Sequence, residues 1–468
     1  MHCLPCYRAL SSGIQIPLRV YFLLLTTIPG PLCLHYSGDR RKKFMPVITN
    51  SESTLYISFL QPLRDVLARC RKIRACKSLP DQQWLTLGTL RVLLEYVSGR
   101  AFLQHLLPHL TGVPSLPLFF ENLKSARRLG LCAEANARLR DELTATLPDA
   151  LADYPQLDGF GIFAGDGTCL KAACHDTAQS SRCGDTKYAT GHFFGMDMRT
   201  QAMLHLAVAD QDERKREHDI RALKRIDPAD LRQGTPKGRK VLWAWDRAIT
   251  DFALWHKLKQ GHGIYFITRQ KENFAGMNCG DIPFEMQAKI NNGVLRDEQV
   301  GGGGVTIRRI TFHDPLSGNT YQFLTNEMTL PPGLLALVYK MRWDIEKSFD
   351  QAKNKFGEKK SWASSATAKA MQAQFLCIAH NLALMQEHKL SKDEGITNVA
   401  EIKRKQKRLD GECKELKAKG ISLPLALQSL QRVTQRSVKF IRWLRMFLFL
   451  QTPWQSMIDV LRKLYATS

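Results

Sequence analysis

The sequence lacks a hydrophobic run long enough to cross a membrane. The apolar stretch VYFLLLT at residues 20–26 is far short of the roughly 18 residues that span a bilayer, and Pro29 and Pro31 follow it closely. We therefore predict no membrane association. A signal peptide is one interpretation of this stretch. The interpretation we favour is that residues 1–44 form a poorly ordered N-terminal extension and that the folded chain begins near Met45.

The sequence also lacks a regular cysteine framework. Its 12 cysteines are irregularly spaced, and most lie in apolar or helical stretches, which argues against a disulfide scaffold and favours a reducing cytosol. The C-x-x-C pair of Cys3 and Cys6 has no second pair at zinc-ligand spacing. The group of Cys174, His175 and Cys183 is an equally weak metal signal. We predict a cytoplasmic protein without a structural zinc site at these residues.

Acidic residues are too few to balance the basic ones. The chain of 468 residues has 44 Asp and Glu against 67 Lys and Arg, which leaves a net charge of +23. Such an excess favours a polyanionic partner, because lysine and arginine neutralise phosphates and release counterions. Nucleic acid, and double-stranded DNA in particular, is the leading candidate. RNA, a membrane surface, or a merely soluble basic protein are the alternatives.

Length and composition predict a folded protein of several units. With 44% hydrophobic residues, the chain can bury more than one core. Residues 45–150 have apolar side chains at helical spacing and a basic segment at 122–128, so we predict a helical DNA-binding domain there. A helix-turn-helix is compatible with these lengths, and so is an ordinary helical domain.

Residues 151–390 change to short apolar runs. Three successive strands followed by crossover units favour an α/β architecture with a mixed sheet and flanking helices. Between about 270 and 332, alternating runs and the turn DPLSGN predict a β-strand insertion. The GGGG run lacks the Lys and Ser or Thr of a phosphate loop and is interpreted as a flexible connection. The predicted strands are residues 159–168, 191–198, 203–210, 240–248, 263–269, 305–312 and 320–326, and the predicted helices are residues 212–226 and 250–261.

Residues 391–468 predict a basic helical C-terminal region. The segment 401–420 has the composition of a solvated helix. A second segment carries cations on one face beside apolar residues, which is typical either of a solvated face or of a surface that contacts duplex DNA. The cations of this second segment are Arg432, Arg436, Lys439, Arg442 and Arg445.

The stretch YKMRWDIEKSFDQAK at residues 339–353 has a polar stripe. On a helix with about 100° per residue, its four polar members fall within an arc of about 60°, next to an apolar arc. We predict that a single helix, beginning near Pro332, carries this stripe. The simplest alternative is a surface helix with an ion pair between residues four apart. The members of the stripe are Tyr339, Arg342, Glu346 and Lys353.

Three carboxylates are candidates for catalysis. Asp166 and Asp246 each end an apolar run, GIFAG and VLWAW, which places an acid on a rigid support. A hairpin turn at Asp166 and a helix N-cap at Asp246 are the alternatives. Arg342 and Lys353 hold Glu346 ionised, so it suits a metal ligand better than a general base.

Together the three carboxylates predict a site for divalent cations. Their oxygens suit two Mg²⁺ ions, or Mn²⁺, about 4 Å apart, which activate a water or a 3′-hydroxyl at a phosphodiester. Arg342 and Lys353 are then predicted to contact phosphates. Tyr339 is predicted to bond to a phosphate or to stack near the strand end.

These motifs resemble those of the aspartate-aspartate-glutamate (DDE) transposases of bacterial insertion sequences, most closely the insertion-sequence-4 type. The family signature of Tyr, two residues, Arg, three residues, Glu, six residues and Lys matches residues 339–353 without a gap, and WDRAITDFALWHKLKQGHGIYFITRQKEN and GDGTCLKA resemble its two aspartate regions. The resemblance covers roughly Phe160 to Leu390. It implies a ribonuclease-H-like core interrupted by a β-strand insertion between Asp246 and Glu346.

The resemblance also implies a function. The protein would nick the ends of an insertion sequence and join the 3′-hydroxyls to target DNA, as a homodimer in the synaptic complex and at the bacterial nucleoid. Asp166, Asp246 and Glu346 would be the metal-binding triad, and the transferred DNA end would contact Tyr339, Arg342 and Lys353. The alternatives are a metal-dependent nuclease or resolvase without strand transfer, and a catalytically inactive DNA-binding relative.

One departure from the family pattern concerns aromatic residues. Some relatives hold a flipped base on a tryptophan of the insertion while a DNA hairpin forms, but the sequence has no Trp between Trp255 and Trp343. Phe312, Tyr321 and Phe323 are the candidate substitutes, since any aromatic face can stack on a base.

Overall fold

The computed structural model assigns the residues from Ser51 to Ser468 to one compact unit. The predicted N-terminal extension lies outside the described residues, as do Cys3, Cys6, Cys174 and Cys183, and four of the five cations of the second C-terminal segment. The described residues are 55–74, 76, 78–108, 112–173, 175–176, 189–210, 219–274, 276–302, 304–397, 399–428, 440–441, 443–448 and 453–467.

The described residues before residue 150 are mainly helical. The helices are α1 Leu55–Ala68, α2 Asp81–Leu93, α3 Gly99–Leu106, α4 Leu116–Leu123 and α5 Ala126–Thr146. The hydroxyls of Ser98, Ser115 and Ser125 cap α3, α4 and α5, each accepting a hydrogen bond from the backbone N–H three positions later. Gly88 of α2 lies against Phe375, where an added Cβ would stand 2.1 Å from a ring atom. These helices therefore pack tightly on a later helix that contains Phe375.

A mixed sheet forms the centre of the molecule and confirms the predicted α/β architecture. Among the described residues it has nine strands in the order β3-β2-β1-β4-β5-β9-β8-β7-β6. The pairs β1/β4 and β4/β5 are parallel, and the other pairs are antiparallel. The strands are β1 Phe160–Lys171, β2 Ala189–Asp197, β3 Met203–Val208, β4 Lys240–Ala244, β5 Ile264–Arg269, β6 Met277–Asp281, β7 Val294–Gly302, β8 Val305–His313 and β9 Thr320–Thr325.

Helices cover both faces of the sheet. Side chains alternate along each strand, so Ile162 and Leu242 enter one core while Phe163 and Trp243 enter the other. Residues of α1 to α5 and of α9 to α11 belong to the first core, and residues of α6 to α8 to the second. The helices after β3 are α6 Asp219–Arg225, α7 Pro228–Arg232, α8 Phe252–His262, α9 Pro332–Met341, α10 Trp343–Asn354, α11 Ala366–Glu394, α12 Val399–Ala418 and α13 Trp454–Thr467.

The region from about 270 to 332 extends the same sheet. Strand β9 joins it antiparallel to the last three residues of β5, Ile267 to Arg269. Strands β8, β7 and β6 then follow outward, each antiparallel to its neighbour. Gly301 and Gly302 of the glycine run lie at the end of β7, where Gly301 pairs with Thr306 and Gly302 with Val305 of β8. This part of the run closes a hairpin between two paired strands.

The helix predicted for the polar stripe is interrupted. Helix α9 ends at Met341 and α10 begins at Trp343, so Arg342 stands in a turn between them. The backbone N–H of Arg342 donates to the carbonyl of Tyr339, and that of Ile345 donates to the carbonyl of Arg342. These are the tighter bonds of a 3₁₀ turn. The expectation of one continuous helix is therefore wrong at one residue, and the stripe is divided between two helices.

Candidate active site

Asp166 lies in the middle of β1, on the face of the sheet covered by α10. Its side chain points to the same face of β1 as those of Ile162 and Ala164, which belong to the first core. The backbone N–H of Gly167 donates to Asp166 Oδ1 at 2.8 Å. The strand continues to Lys171. The strand predicted for residues 159–168 is therefore longer than expected, Asp166 lies within it rather than at its end, and the alternative of a hairpin turn there is wrong.

Asp246 lies two residues beyond the end of β4. Trp245 before it is 1% exposed, and its ring packs on Gly165 of β1, where an added Cβ would stand 2.6 Å from ring atoms. Only glycine gives the indole this space. Asp251 caps α8 by accepting a hydrogen bond from the N–H of Leu254 at 2.9 Å, so the alternative of a cap at Asp246 is wrong.

Glu346 and Asp166 meet at the guanidinium of Arg342. Arg342 Nη2 donates to Glu346 Oε1 at 2.9 Å, and Nη1 lies 3.5 Å from Asp166 Oδ2. Arg342 is only 4% exposed, whereas the side chain of Glu346 is 35% exposed. The turn between α9 and α10 thus places a buried cation between a carboxylate of the sheet and a carboxylate of a helix.

The charge of Arg342 is stabilised by its surroundings. Burial alone would lower its pKa, but Tyr339, Asp166, Glu346 and Asp246 together raise it above the ordinary value. All three predicted carboxylates therefore act electrostatically on this guanidinium. The ring of Tyr339 also lies 5.7 Å from the guanidinium carbon. Burial raises the pKa of the Tyr339 hydroxyl, so the hydroxyl stays protonated and able to donate at neutral pH.

Asp166 has an unusual proton affinity. Burial raises the pKa of Asp166 to about 7, and the nearby charges of Asp219 and Glu346 act in the same direction. Arg342 and the N–H of Gly167 oppose that increase. When no metal ion is bound, a carboxyl group with this pKa is partly protonated and partly ionised near neutral pH.

A cavity of about 430 Å³ opens beside Arg342. Asp246, Tyr339, Arg342 and Glu346 line it. Its remaining lining residues come from β5, β8, β9, α9, α10, the segments that follow β4 and β8, and the 3₁₀ helix Leu425–Leu427, and they include cations and aromatic rings. They are Arg247, Arg269, Phe312, Asp314, Tyr321, Phe323, Ala336, Lys340, Trp343, Ala426 and Leu427.

Aromatic side chains form one wall of the cavity. The rings of Phe323 and Tyr339 have centroids 4.8 Å apart, and the guanidinium of Arg269 lies 5.0 Å from the ring of Tyr321. Phe312 lies beside Phe323, with centroids 6.5 Å apart. The structure therefore brings all three candidate substitutes for the missing tryptophan to the same wall.

The sequence argument assigned no role to several cavity residues. Arg247, Arg269 and Lys340 are exposed, and none of them forms an ion pair with a carboxylate within the described part of the chain. Trp343 is 50% exposed at the same cavity. Arg247 follows Asp246 directly and Arg269 ends β5, so their positions in the sequence could have indicated that they lie near the site. The positions of Lys340 and Trp343 at the cavity depend on the turn at residue 342, which the sequence did not predict.

Lys353 stands apart from this cavity. It is half-buried at a second, much smaller cavity that is also lined by Thr168, His192, Phe349 and Glu358. The structure therefore groups Asp166, Asp246, Glu346, Tyr339 and Arg342, and it places Lys353 at the separate small cavity, near the end of α10.

The carboxylates have the chemistry of a divalent-metal site. Carboxylate oxygens are the ligands that Mg²⁺ prefers in proteins. The carboxylates of Asp166 and Glu346 already lie on either side of a positive charge, the guanidinium of Arg342. As the side chains stand, no three acidic, histidine or cysteine side chains of the described residues are close enough to hold one metal ion. The donor type fits such an ion, and Arg342 currently takes up the oxygens of Asp166 and Glu346.

Comparison with known protein families identifies a domain in this part of the chain. Residues 159–382 match the family model described as the transposase DDE domain. The matched range runs from the start of β1 into α11 and includes every predicted site residue. No curated protein matches the chain. Within the described ranges, no helix is both long and apolar enough to span a membrane.

Proposed function

We propose that this chain, which contains a transposase DDE domain at residues 159–382, nicks the ends of an insertion sequence and joins the 3′-hydroxyls to target DNA. The observation that carries the proposal is the convergence of three carboxylates on Arg342 beside an open cavity. Asp166, Asp246 and Glu346 come from β1, from the end of β4 and from α10. We propose that they are the catalytic residues, in an enzyme of the insertion-sequence-4 type.

The proposal includes two Mg²⁺ or Mn²⁺ ions held by Asp166, Asp246 and Glu346. When bound, such ions would act as Lewis acids that activate the attacking hydroxyl and stabilise the leaving oxygen. The residues themselves supply rigid carboxylates, because Asp166 sits within a paired strand and Trp245 anchors the chain before Asp246. Rigid support of this kind is what a catalytic constellation requires.

Arg342 has two roles in the proposed reaction. In the free protein it neutralises Asp166 and Glu346, which keeps two acids close together. With DNA in the cavity, its fork of N–H donors suits a phosphate oxygen equally well. The hydroxyl of Tyr339 then donates a hydrogen bond to the same DNA end. Lys353 would contact the duplex further from the reacting phosphate, since it lies outside the cavity.

The cavity cations extend the proposed DNA contact. Arg247, Arg269 and Lys340 are exposed around the carboxylates and are suited to bind the phosphates that flank the reacting bond. The aromatic wall of Phe312, Tyr321 and Phe323 suits a base that leaves its stack, as a DNA hairpin intermediate would require.

The remaining parts of the proposal concern organisation. Residues 45–150 would be a helical DNA-binding domain, and residues 391–468 a basic helical region that assists it. The protein would act in the bacterial cytoplasm at the nucleoid. Two copies would form the synaptic complex, since two element ends must be held together.

Strand transfer with a labelled element-end duplex and Mg²⁺ tests the proposal. We expect joining by the wild-type protein, at least a 100-fold loss for Glu346→Gln because a metal-binding charge is removed, and retained end binding by this variant. Asp350→Asn is the matched control, because Asp350 is exposed on the same helix and outside the cavity. It should join DNA as the wild type does.

The same assay distinguishes the alternatives. Equal joining by the wild type and Glu346→Gln would overturn the triad. Nicking without joining would assign the chain to the metal-dependent nucleases or resolvases. End binding without nicking or joining would assign it to the inactive DNA-binding relatives.

A further inference from the structure

Helix α12 presents a row of exposed lysines. Lys403, Lys407, Lys414 and Lys417 fall within an arc of about 80° on a helix with 100° per residue, and all four are exposed. The opposite side of the helix carries Leu416, which is buried. We call these four residues the lysine stripe.

The spacing of the lysine stripe suits a nucleic-acid backbone. At 1.5 Å per residue, the stripe is about 21 Å long, and its neighbours are separated by about 4 to 11 Å along the helix axis. Phosphates along one DNA strand are separated by similar distances, so one helix laid beside a duplex can reach several of them. A single small anion would contact only one or two of these lysines, so the length of the row favours an extended polyanion.

The lysine stripe is not used for pairing within the described part of the chain. None of its four ammonium groups is within ion-pair distance of a carboxylate there, while nearby Arg408 pairs with Glu412 at 3.1 Å and Lys419 pairs with Glu415 at 2.9 Å. Asp410 lies on the same arc and accepts a hydrogen bond from Gln406 at 2.9 Å. The acids of α12 are therefore largely engaged by other residues, and the stripe remains an exposed positive surface.

The chain after α12 returns to the catalytic cavity. Ser422 Oγ accepts a hydrogen bond from Asn292 Nδ2 at 2.6 Å, which ties this segment to the loop before β7. Ala426 and Leu427 then line the cavity itself. The C-terminal end of α12, at Ala418, is therefore close in sequence to residues that line the cavity.

We propose that the lysine stripe is a second DNA contact, which binds the backbone of a duplex beyond the catalytic cavity whatever its sequence. This inference rests on the proposed function, because it needs a duplex in the cavity. It assigns to α12 the non-specific part of the affinity, and leaves the recognition of the reacting end to the cavity.

Binding of a random-sequence duplex at salt concentrations from 50 to 200 mM tests the inference. The double variant Lys407→Gln/Lys414→Gln should reduce the slope of log affinity against log salt by about two units, because each lysine neutralises one phosphate. The charge-matched control is Lys237→Gln/Lys257→Gln, which changes two exposed lysines away from α12, before β4 and on α8. The control should leave the slope unchanged.

Each outcome decides the inference. An unchanged slope for the stripe variant, or an equal change in the control, overturns it. If wild-type protein joins DNA while the stripe variant binds random duplex normally, only the lysine stripe is rejected. If the wild-type protein neither binds duplex nor joins it, the proposed function fails as well. Unchanged Tm values for both variants show that the fold is intact.

Discussion

At the scale of single residues, Arg342 lies within ion-pair distance of two of the three candidate catalytic carboxylates. Its guanidinium is buried, bonds to Glu346, and lies within ion-pair distance of Asp166. A lysine ammonium at this position carries the same charge, but it cannot reach two carboxylates with a planar fork of donors. The geometry of the donor, rather than the charge alone, therefore sets the arrangement of the two acids.

We expect Arg342→Lys to reduce strand transfer by roughly 10-fold or more and to lower stability by about 1–3 kcal/mol, because one buried carboxylate loses its partner. Single-turnover joining and thermal unfolding measure the two effects. Arg247→Lys serves as the control, since Arg247 is exposed at the same cavity. Its Tm should not change. If Arg342→Lys joined DNA at the wild-type rate, a positive charge at this position would be sufficient for strand transfer, whatever the geometry of its donors.

At the scale of elements, seven of the nine strands among the described residues were predicted from sequence, whereas β6, β7 and the break between α9 and α10 were not. Apolar runs identify β1 and β4 because buried strands need them. No proline or glycine marks the turn at Arg342, and its flanking residues keep helical spacing. The contact of Arg342 with Asp166 joins this turn to a distant strand. Local sequence patterns contain no information about such a long-range contact. The sequence therefore predicted one continuous helix where the structure has two.

The contact of β1 with the segment after β4 provides a test at this scale. We expect Gly165→Ala to displace the ring of Trp245, to cost about 1–3 kcal/mol through overpacking, and to reduce joining by moving Asp246. Gly159→Ala is the control, because no atom lies within 4 Å of its added Cβ. Thermal unfolding and the joining assay measure both variants. A Gly165→Ala protein with normal joining would show that Trp245 does not position Asp246.

At the scale of the whole molecule, long-range pairing determines what the sequence could not predict. The turn chemistry and alternation around residues 305–326 predict strands, but not that β9 pairs with β5 and extends the sheet. Asn326 reinforces this junction, because its side chain accepts a hydrogen bond from the N–H of Phe266 at 2.7 Å and donates to the carbonyl of Trp255 at 3.1 Å. One amide thus connects β5, α8 and the end of β9.

We expect Asn326→Ala to lower stability by about 2–3 kcal/mol, because it leaves the buried backbone groups of Phe266 and Trp255 without their partner. Thermal unfolding measures the cost, and faster amide exchange in β5 and β9 locates it. Asn319→Ala, in the exposed turn between β8 and β9, is the control and should cost less than about 1 kcal/mol. Equal losses for the two variants would contradict a special role for the junction.

The short ladder between β5 and β9 has a mechanical consequence. Only three residue pairs join these strands, and one of them is Arg269 with Phe323. Both residues line the cavity. The junction is held further by hydrogen bonds from the N–H of Gln270 to the carbonyl of Gln322 at 2.8 Å and from Thr325 Oγ1 to the carbonyl of Phe266 at 2.6 Å, in addition to those of Asn326. The aromatic wall on β8 and β9 is therefore tied to the inner strands, so the sheet itself sets the distance between that wall and the carboxylates of Asp166 and Asp246.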